Sequence, residues 1–334
     1  MGAKERNISI DIMKFLAVLL ITNSHMDKLY GDYNVFATGG AIGDVLFFFC
    51  SGYTLFLGSL GRFDFWYKKR IRRIYPSVIA LSIMGTFLWN FHRDVLYIIT
   101  YGGEWFVSCI MIYYIILYFI RRYAINRLIV IFLITFIVTL IWYFFFYTDK
   151  YTISIYKWTY IKWCFYFLNM LLGAAVGLYE SKHGYLINKP HSRYNKTWIN
   201  ITLMIICMSL FYGLQIMGKK NPAWAYWQIF TIIPLFGINW FFYLICCGTW
   251  VKKVFQHPKI SWIIMAIGGL CLEIYLVQPY LFTTSMNNIF PLNLPIMFVI
   301  ILPFAWLCRS LGKLFQQTFS SEDGYNWREI LKIV

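Results

Sequence analysis

The first long apolar segment of the sequence carries three ionisable residues, Asp11, Lys14 and His25. If this segment is helical, about three turns separate Lys14 from His25, so both side chains leave one face about 16 Å apart. Asp11 falls within about 40° of that face. An imidazole can act as a general base near neutral pH, a nearby carboxylate can orient it, and a cation can hold an anionic substrate. A structural interpretation stays open, in which His25 ends the helix at an aqueous boundary and Lys14 pairs with Asp11.

A second group of charges lies between Trp66 and Pro76, where five of the six residues from Lys68 to Arg73 are cations. Guanidinium groups form directional hydrogen bonds with phosphate oxygens, so Arg70 and Arg73 are candidates for binding phosphate. The same cluster fits a positively charged anchor on the cytoplasmic side of a membrane. The two roles are compatible.

A carboxyl group and an amide, Glu273 and Gln278, interrupt a later apolar segment. Glu273 could form an ion pair with a cation such as Lys14, or it could orient His25 or a substrate hydroxyl. Gln278, and Ser51 in an earlier apolar segment, are candidate substrate-binding residues.

The composition predicts an integral membrane protein. Of 334 residues, 60% are hydrophobic, 21% are aromatic and only 13% are charged, whereas a soluble domain carries about 25% charged residues. The formal net charge is +16, but the charges fall in short clusters between apolar runs. We therefore attribute them to membrane topology and expect no nucleic-acid partner.

The eight cysteines lie singly or as one adjacent pair in apolar segments, so we infer neither a disulfide nor a metal site.

The chain has ten apolar runs of the length that a spanning helix needs, about 20 residues. They predict an all-α polytopic helix bundle with about ten transmembrane helices. The runs lie near residues 8–25, 42–60, 74–91, 104–120, 128–147, 161–179, 198–217, 226–247, 260–282 and 294–315.

Most of the 30 Lys and Arg residues fall on one side of the membrane if the N-terminus is cytoplasmic, so we expect both termini there. The first apolar run contains Asp11 and Lys14, and no small-residue cleavage site follows it, so we expect a retained helix. No linker divides the chain. We therefore expect one transmembrane domain over residues 1–334, with short cytoplasmic tails.

Several short motifs together resemble the acyltransferase 3 family of integral membrane acyltransferases, and their order covers nearly the whole chain. They are the segment from Arg6 to His25 with its basic-x10-His spacing, FFxxSGY at 47–53, RxxRIYP at 70–76, EWF at 104–106 and LEIYL at 272–276.

The resemblance implies ten helices around a tunnel in a bacterial cytoplasmic membrane. An acyl-CoA, with acetyl-CoA as the family default, would enter from the cytoplasm. A sugar hydroxyl of a surface polysaccharide or its lipid-linked precursor would accept the acyl group. By motif, His25 corresponds to the catalytic histidine, and Lys14, Arg70 and Arg73 correspond to the donor-binding cations.

Two residues depart from the family pattern. Lys14 stands where Arg is frequent, which keeps the charge but loses the bidentate fork. Gln278 stands where a second His is frequent, so proton transfer depends more heavily on His25. Direct transfer to the acceptor and an acyl-histidine intermediate both stay open, as do the acceptor and the oligomeric state.

Two other classes of protein are compatible with these residues. A secondary transporter or flippase for lipid-linked glycans could use Lys14, His25 and Glu273 to bind anions or relay protons. A structural subunit of a polysaccharide assembly complex would use the charges only as anchors.

Overall fold

The structure, a computed structural model, describes residues 6–91, 93–157, 159–189, 196–320 and 324–333. Across these ranges the chain forms α-helices joined by short 3₁₀ and π turns, and it has no strand. The longer helices are α1 (Ile8–His25), α3 (Gly40–Leu57), α4 (Phe63–Leu88), α6 (Glu104–Tyr123), α7 (Leu128–Ile141), α8 (Ile161–His183), α9 (Thr197–Lys220), α11 (Ile232–Cys246), α13 (Pro258–Gly269) and α15 (Asn293–Thr318). The shorter ones are α2 (Asp27–Tyr30), α5 (Val95–Thr100), α10 (Pro222–Ala225), α12 (Thr249–Gln256), α14 (Cys271–Val277) and α16 (Trp327–Ile330).

Within the described residues, nine helical segments are long and apolar enough to cross a membrane. A tenth candidate is α13 together with Cys271–Tyr280, which bend by 56° at their junction. The predicted all-α polytopic bundle of about ten spans is therefore confirmed. Two of the predicted spans nevertheless differ from the structure.

The third span begins earlier than its apolar run. Helix α4 starts at Phe63 rather than near residue 74, so the cations from Lys68 to Arg73 lie on the helix itself. Lys and Arg are good helix formers, and hydropathy reports where a helix enters the membrane rather than where it begins. Asp64 in the first turn is favourable at the positive end of the helix dipole and pairs with Arg62.

The ninth span is broken rather than continuous. Leu270 leaves helical geometry with φ −91° and ψ 10°, directly after Gly268 and Gly269. Glycine is a poor helix former, which accounts for a break at this point. Glu273 therefore lies in the first turn of α14 rather than in the middle of a long helix.

The chain divides into two compact units. Unit 1 contains α1 up to Ala17, residues Ala41–Ser59 and residues Ile120–Ser261. Unit 2 contains Val18–Gly40, Leu60–Phe119 and the chain from Trp262 onward.

In unit 1, small residues bring α3 and α8 together. A Cβ added at Gly52 would collide with the backbone carbonyl of Met170, and one at Gly173 would collide with that of Phe49. This arrangement matches the close approach that small residues permit between membrane helices. Helices α7 and α9 belong to spans that are largely exposed. In each of these spans, 11% of the apolar segment is buried inside the protein.

In unit 2, α15 packs against α4 and α14. Gly312 of α15 faces the backbone of Pro76 and Ser77, where an added Cβ would lie 3.0 Å from backbone atoms. This contact aligns the basic end of α4 with the C-terminal end of α15.

The α3–α8 contact yields a stability prediction. Gly52→Ala should destabilise the protein by about 1–3 kcal/mol, because a backbone carbonyl has little freedom to move away from the new methyl group. The measurement is the thermal unfolding midpoint of purified protein in detergent. Gly213→Ala in α9 is the matched control, since a Cβ there meets nothing within 4 Å. Equal midpoints for the two variants would contradict the packing described.

Candidate functional site

The side chain of His25 lies against an amide and an aromatic ring of unit 2. Gln278 Nε2 is 2.5 Å from His25 Nδ1, and Gln278 is fully buried. The ring centroids of His25 and Tyr275 are 6.1 Å apart. On its other side Tyr275 packs against Phe106, with 5.3 Å between centroids. The predicted site residues His25 and Gln278 are therefore in direct contact.

The backbone around Gln278 accounts for its placement. Helix α14 ends at Val277, and Gln278 begins a single 3₁₀ turn that contains Pro279. Proline has no N–H to continue an α-helix, so the chain changes direction here. The turn is held by Tyr280, whose hydroxyl accepts a hydrogen bond from Arg93.

Arg93, which contacts this turn, was not predicted from the sequence. Only 10% of its side chain is exposed, and it also donates a hydrogen bond to the carbonyl of Gly102 at 3.0 Å. Its guanidinium lies 3.9 Å from the carboxylate of Glu104, whose backbone has a φ of 55°. The left-handed region costs a non-glycine residue of order 1 kcal/mol or more, and such strain is frequent near functional sites. The available sequence signal was an Arg four positions before Tyr97, in a segment with several aromatic residues.

Glu273 lies between α14 and α4 of unit 2. It is 6% exposed and accepts a hydrogen bond from Ser77 Oγ at 2.6 Å. Arg309 and Arg73 interact with its carboxylate electrostatically. Glu273 thus places a buried carboxyl group within electrostatic range of one of the two predicted phosphate-binding arginines.

The basic cluster presents its two predicted arginines differently. The guanidinium of Arg70 stacks on the ring of Trp66, with 4.1 Å between the carbon of the guanidinium and the ring centroid. Trp66 is buried at 3% exposure, so it provides a fixed platform. Arg73 is exposed. An oriented guanidinium and an exposed one are both suited to binding phosphate oxygens.

Three predicted site residues belong to unit 1. Asp11 accepts two hydrogen bonds from Arg6, at 2.7 and 2.8 Å, and this pairing raises the pKa of the Arg6 guanidinium. Lys14 and Ser51 are partly buried. The carboxylate of Asp11 therefore has Arg6 as its ion-pair partner, and its predicted role as an orienting acid stays a prediction.

Unit 1 contains a buried carboxylate that the sequence analysis also missed. Glu180 is 2% exposed. It accepts hydrogen bonds from the hydroxyls of Tyr53 and Tyr243, from the Asn7 amide at 3.2 Å and from the Leu186 backbone N–H at 2.9 Å. The predicted span ended at residue 179, whereas α8 continues to His183, so Glu180 is inside the helix. A second buried pair, Asp44 and Lys162, lies in the same unit.

These features define an all-α polytopic membrane protein with a histidine in contact with a buried amide and a helix that carries a cluster of cations. The acyltransferase 3 family model, described as an acyltransferase domain, matches residues 7–309. The chain belongs to the acyltransferase 3 family, and it is a membrane acyltransferase. The resemblance inferred from the motifs is therefore confirmed. No curated protein and no solved structure matches the chain.

The contacts of Glu180 predict a graded loss of stability. Glu180→Leu leaves four donors without their acceptor, and each unsatisfied buried group costs about 1–3 kcal/mol. Glu180→Gln should cost less, because its amide oxygen still accepts hydrogen bonds and the tyrosine hydroxyls can reorient.

Unfolding midpoints in detergent should therefore fall in the order wild type, Glu180→Gln, Glu180→Leu. Ser181→Ala is the control, because its side chain is exposed and its hydroxyl donates a hydrogen bond to the Leu178 carbonyl of the same helix. A Glu180→Leu midpoint equal to that of the control would contradict a structural role for Glu180.

Proposed function

We propose that this acyltransferase moves an acyl group from cytoplasmic acyl-CoA to a hydroxyl of an extracytoplasmic sugar or surface polysaccharide. Acetyl is the expected acyl group, so the activity would be that of an O-acetyltransferase. The protein would act in a bacterial cytoplasmic membrane with both termini in the cytoplasm. The observation that carries the proposal is the contact between His25 and the buried amide of Gln278.

The amide beside His25 can supply the contact that a general base needs. A neutral imidazole that accepts a proton at Nε2 carries its own proton at Nδ1, and a neighbouring acceptor must hold that tautomer. The amide of Gln278 lies at Nδ1, while its Oε1 has no partner among the described residues. A 180° rotation of the amide would bring Oε1 against Nδ1–H and leave the imidazole where it is. We assign Gln278 this orienting role, in addition to the substrate contact expected from the sequence.

The reaction then proceeds with a balanced proton transfer. The acceptor hydroxyl gives its proton to His25 Nε2 as its oxygen attacks the carbonyl carbon of the thioester. The tetrahedral intermediate collapses, the C–S bond breaks, and the imidazolium returns the proton to the departing thiolate. The products are an ester and free coenzyme A. A general base of this kind contributes about 10²- to 10⁴-fold in rate.

The cations supply donor binding in this mechanism. Arg70 and Arg73 would bind the phosphates of coenzyme A. The donor-binding role expected of Lys14 from the sequence is kept as a prediction. Glu273 would partly neutralise Arg73 electrostatically and would stabilise the imidazolium at a distance. Ser51 is proposed to contact the substrate.

A transporter or flippase is a second candidate function, because α13 and the segment after it bend by 56°. Broken helices form substrate sites in secondary transporters. A protein of that class would move lipid-linked glycan without consuming thioester, so the release of coenzyme A distinguishes the two functions.

Coenzyme A release tests the role of His25. Purified protein in membranes should release coenzyme A from acetyl-CoA when extracted cell-surface glycan is present. His25→Ala should reduce kcat by about 10²-fold or more, while the exposed His257→Ala should behave as wild type. Arg73→Ala should mainly raise the KM for acetyl-CoA, by about tenfold for a loss of about 1.4 kcal/mol. A folded His25→Ala variant with wild-type turnover would overturn the proposed mechanism.

A pair of substitutions tests the role of Gln278. Gln278→Met keeps the shape but removes the hydrogen bond, and it should lower kcat by about 10- to 100-fold, as removal of an orienting partner typically does. Gln278→Glu keeps an acceptor at Nδ1 and should retain most of the turnover. The KM for acetyl-CoA should change little in either variant. If Gln278→Glu were as inactive as Gln278→Met, the amide would act as a donor to His25 and the assigned tautomer would be wrong.

A further inference from the structure

Unit 2 contains a groove of about 590 Å³ that no step of the proposed reaction uses. We call it the basic groove. Its walls come from one face of α4, the C-terminal end of α15 and the segment around α16. The lining residues are Lys68, Ile71, Arg72, Tyr75, Pro76, Ile79, Lys313, Phe315, Gln316, Gln317, Phe319, Ser320 and Glu329.

The cations of the basic groove differ from the predicted donor-binding arginines. On a helix with 100° per residue, Lys68 and Arg72 lie about 40° apart and share the groove face. Arg70 and Arg73 lie about 140–160° from Lys68, on another side of α4. Helix α4 therefore presents two separate basic faces.

The third cation, Lys313, is fixed by the C-terminal segment. Its ammonium donates hydrogen bonds to the carbonyls of Glu329 at 2.5 Å and Lys332 at 3.3 Å. Arg309 donates to the carbonyl of Ile333 at 2.9 Å, which holds the same segment against α15. Glu329 also lines the groove. The lining thus contains three basic residues and one acidic residue, and its formal net charge is positive.

The position of the groove indicates what kind of anion it accepts. The apolar part of α4 begins at Ile74, and the spanning helix α15 ends at Thr318, so the groove lies where two spans leave the hydrocarbon. Phe319 and Trp327 near it are 72% and 56% exposed, as is usual for aromatic residues at a membrane interface. Ile71, Ile79 and Phe315 add apolar surface beside the cations.

We propose that the basic groove is a binding site for an anionic phospholipid. The lipid phosphate would lie between Lys68, Arg72 and Lys313, and an acyl chain would follow Ile79 and Phe315. Cations at the membrane surface attract anionic lipids, and apolar residues beside these cations favour a lipid over a free phosphate ion. This inference depends on unit 2 alone and does not rest on the proposed acyl transfer.

A lipid titration tests this proposal without an activity assay. Protein in uncharged detergent would be titrated with short-chain phosphatidylglycerol or phosphatidylcholine while the thermal unfolding midpoint is followed, since a ligand that binds the folded state raises it. Phosphatidylglycerol should raise the midpoint of wild type, and phosphatidylcholine should not. In Lys68→Gln/Arg72→Gln the apparent affinity for phosphatidylglycerol should fall at least tenfold. The single variant Arg72→Gln should lose part of the affinity for phosphatidylglycerol. It replaces the double variant in the titration if the double variant does not fold.

The control removes the same charge elsewhere. Lys182→Gln/Lys189→Gln replaces two exposed cations and should keep the wild-type response. An equal loss of affinity in this control would mean that phosphatidylglycerol binds by net charge alone, which would overturn the site. A midpoint shift with inorganic phosphate that matches the lipid shift would identify a simple anion site. A shift with coenzyme A that disappears in Lys68→Gln/Arg72→Gln would identify a donor site, and either result would overturn the lipid proposal.

Discussion

A polar side chain inside a membrane has no water to bond with, so its partner must come from the protein. This constraint accounts for the internal contacts of each unit. In unit 1, Glu180 accepts hydrogen bonds from four groups drawn from separate parts of the sequence. In unit 2, Glu273 accepts a hydrogen bond from Ser77, and the amide of Gln278 meets His25. The buried polar groups therefore hold helices together in addition to any chemistry that they perform.

The same constraint explains the structural role of the break in the ninth span of unit 2. The break at Leu270 and the turn at Pro279 isolate a short helix, α14, between two points where the backbone changes direction. Glu273 lies in the first turn of this helix and Gln278 follows its last residue. A short segment with two fixed ends can hold both side chains in place more rigidly than a loop can. Arg93 strengthens one end through its hydrogen bond to Tyr280.

The sequence predicted the fold well because hydropathy measures directly what a membrane selects. Nearly all the predicted spans agree with the structure to within a few residues. The start of α4 was missed because cations outside the hydrocarbon form a helix without raising hydropathy. The break at Leu270 was signalled by two adjacent glycines, but glycine pairs also occur in continuous membrane helices.

The candidate site was predictable in its residue types and less so in its contacts. His25, Glu273 and Gln278 are conspicuous because ionisable and amide groups are scarce in apolar segments. Their partners could not be deduced, since Gln278 and His25 are separated by 253 positions and no local pattern connects them. Glu180 was overlooked because it follows an apolar run by one residue, where a carboxylate is usually exposed. Arg93 was overlooked because single cations in the loops between spans usually face solvent.

A double-mutant cycle tests most directly the proposed action of Gln278 on catalysis through His25. Turnover of acetyl-CoA would be measured for His25→Ala, Gln278→Met and the double variant, with wild type as the reference. If Gln278 orients the base, Gln278→Met should have almost no further effect once the imidazole is gone, because groups that act as a unit are strongly non-additive. Fully additive losses would show that Gln278 and His25 act independently, and the account of the site would then be wrong.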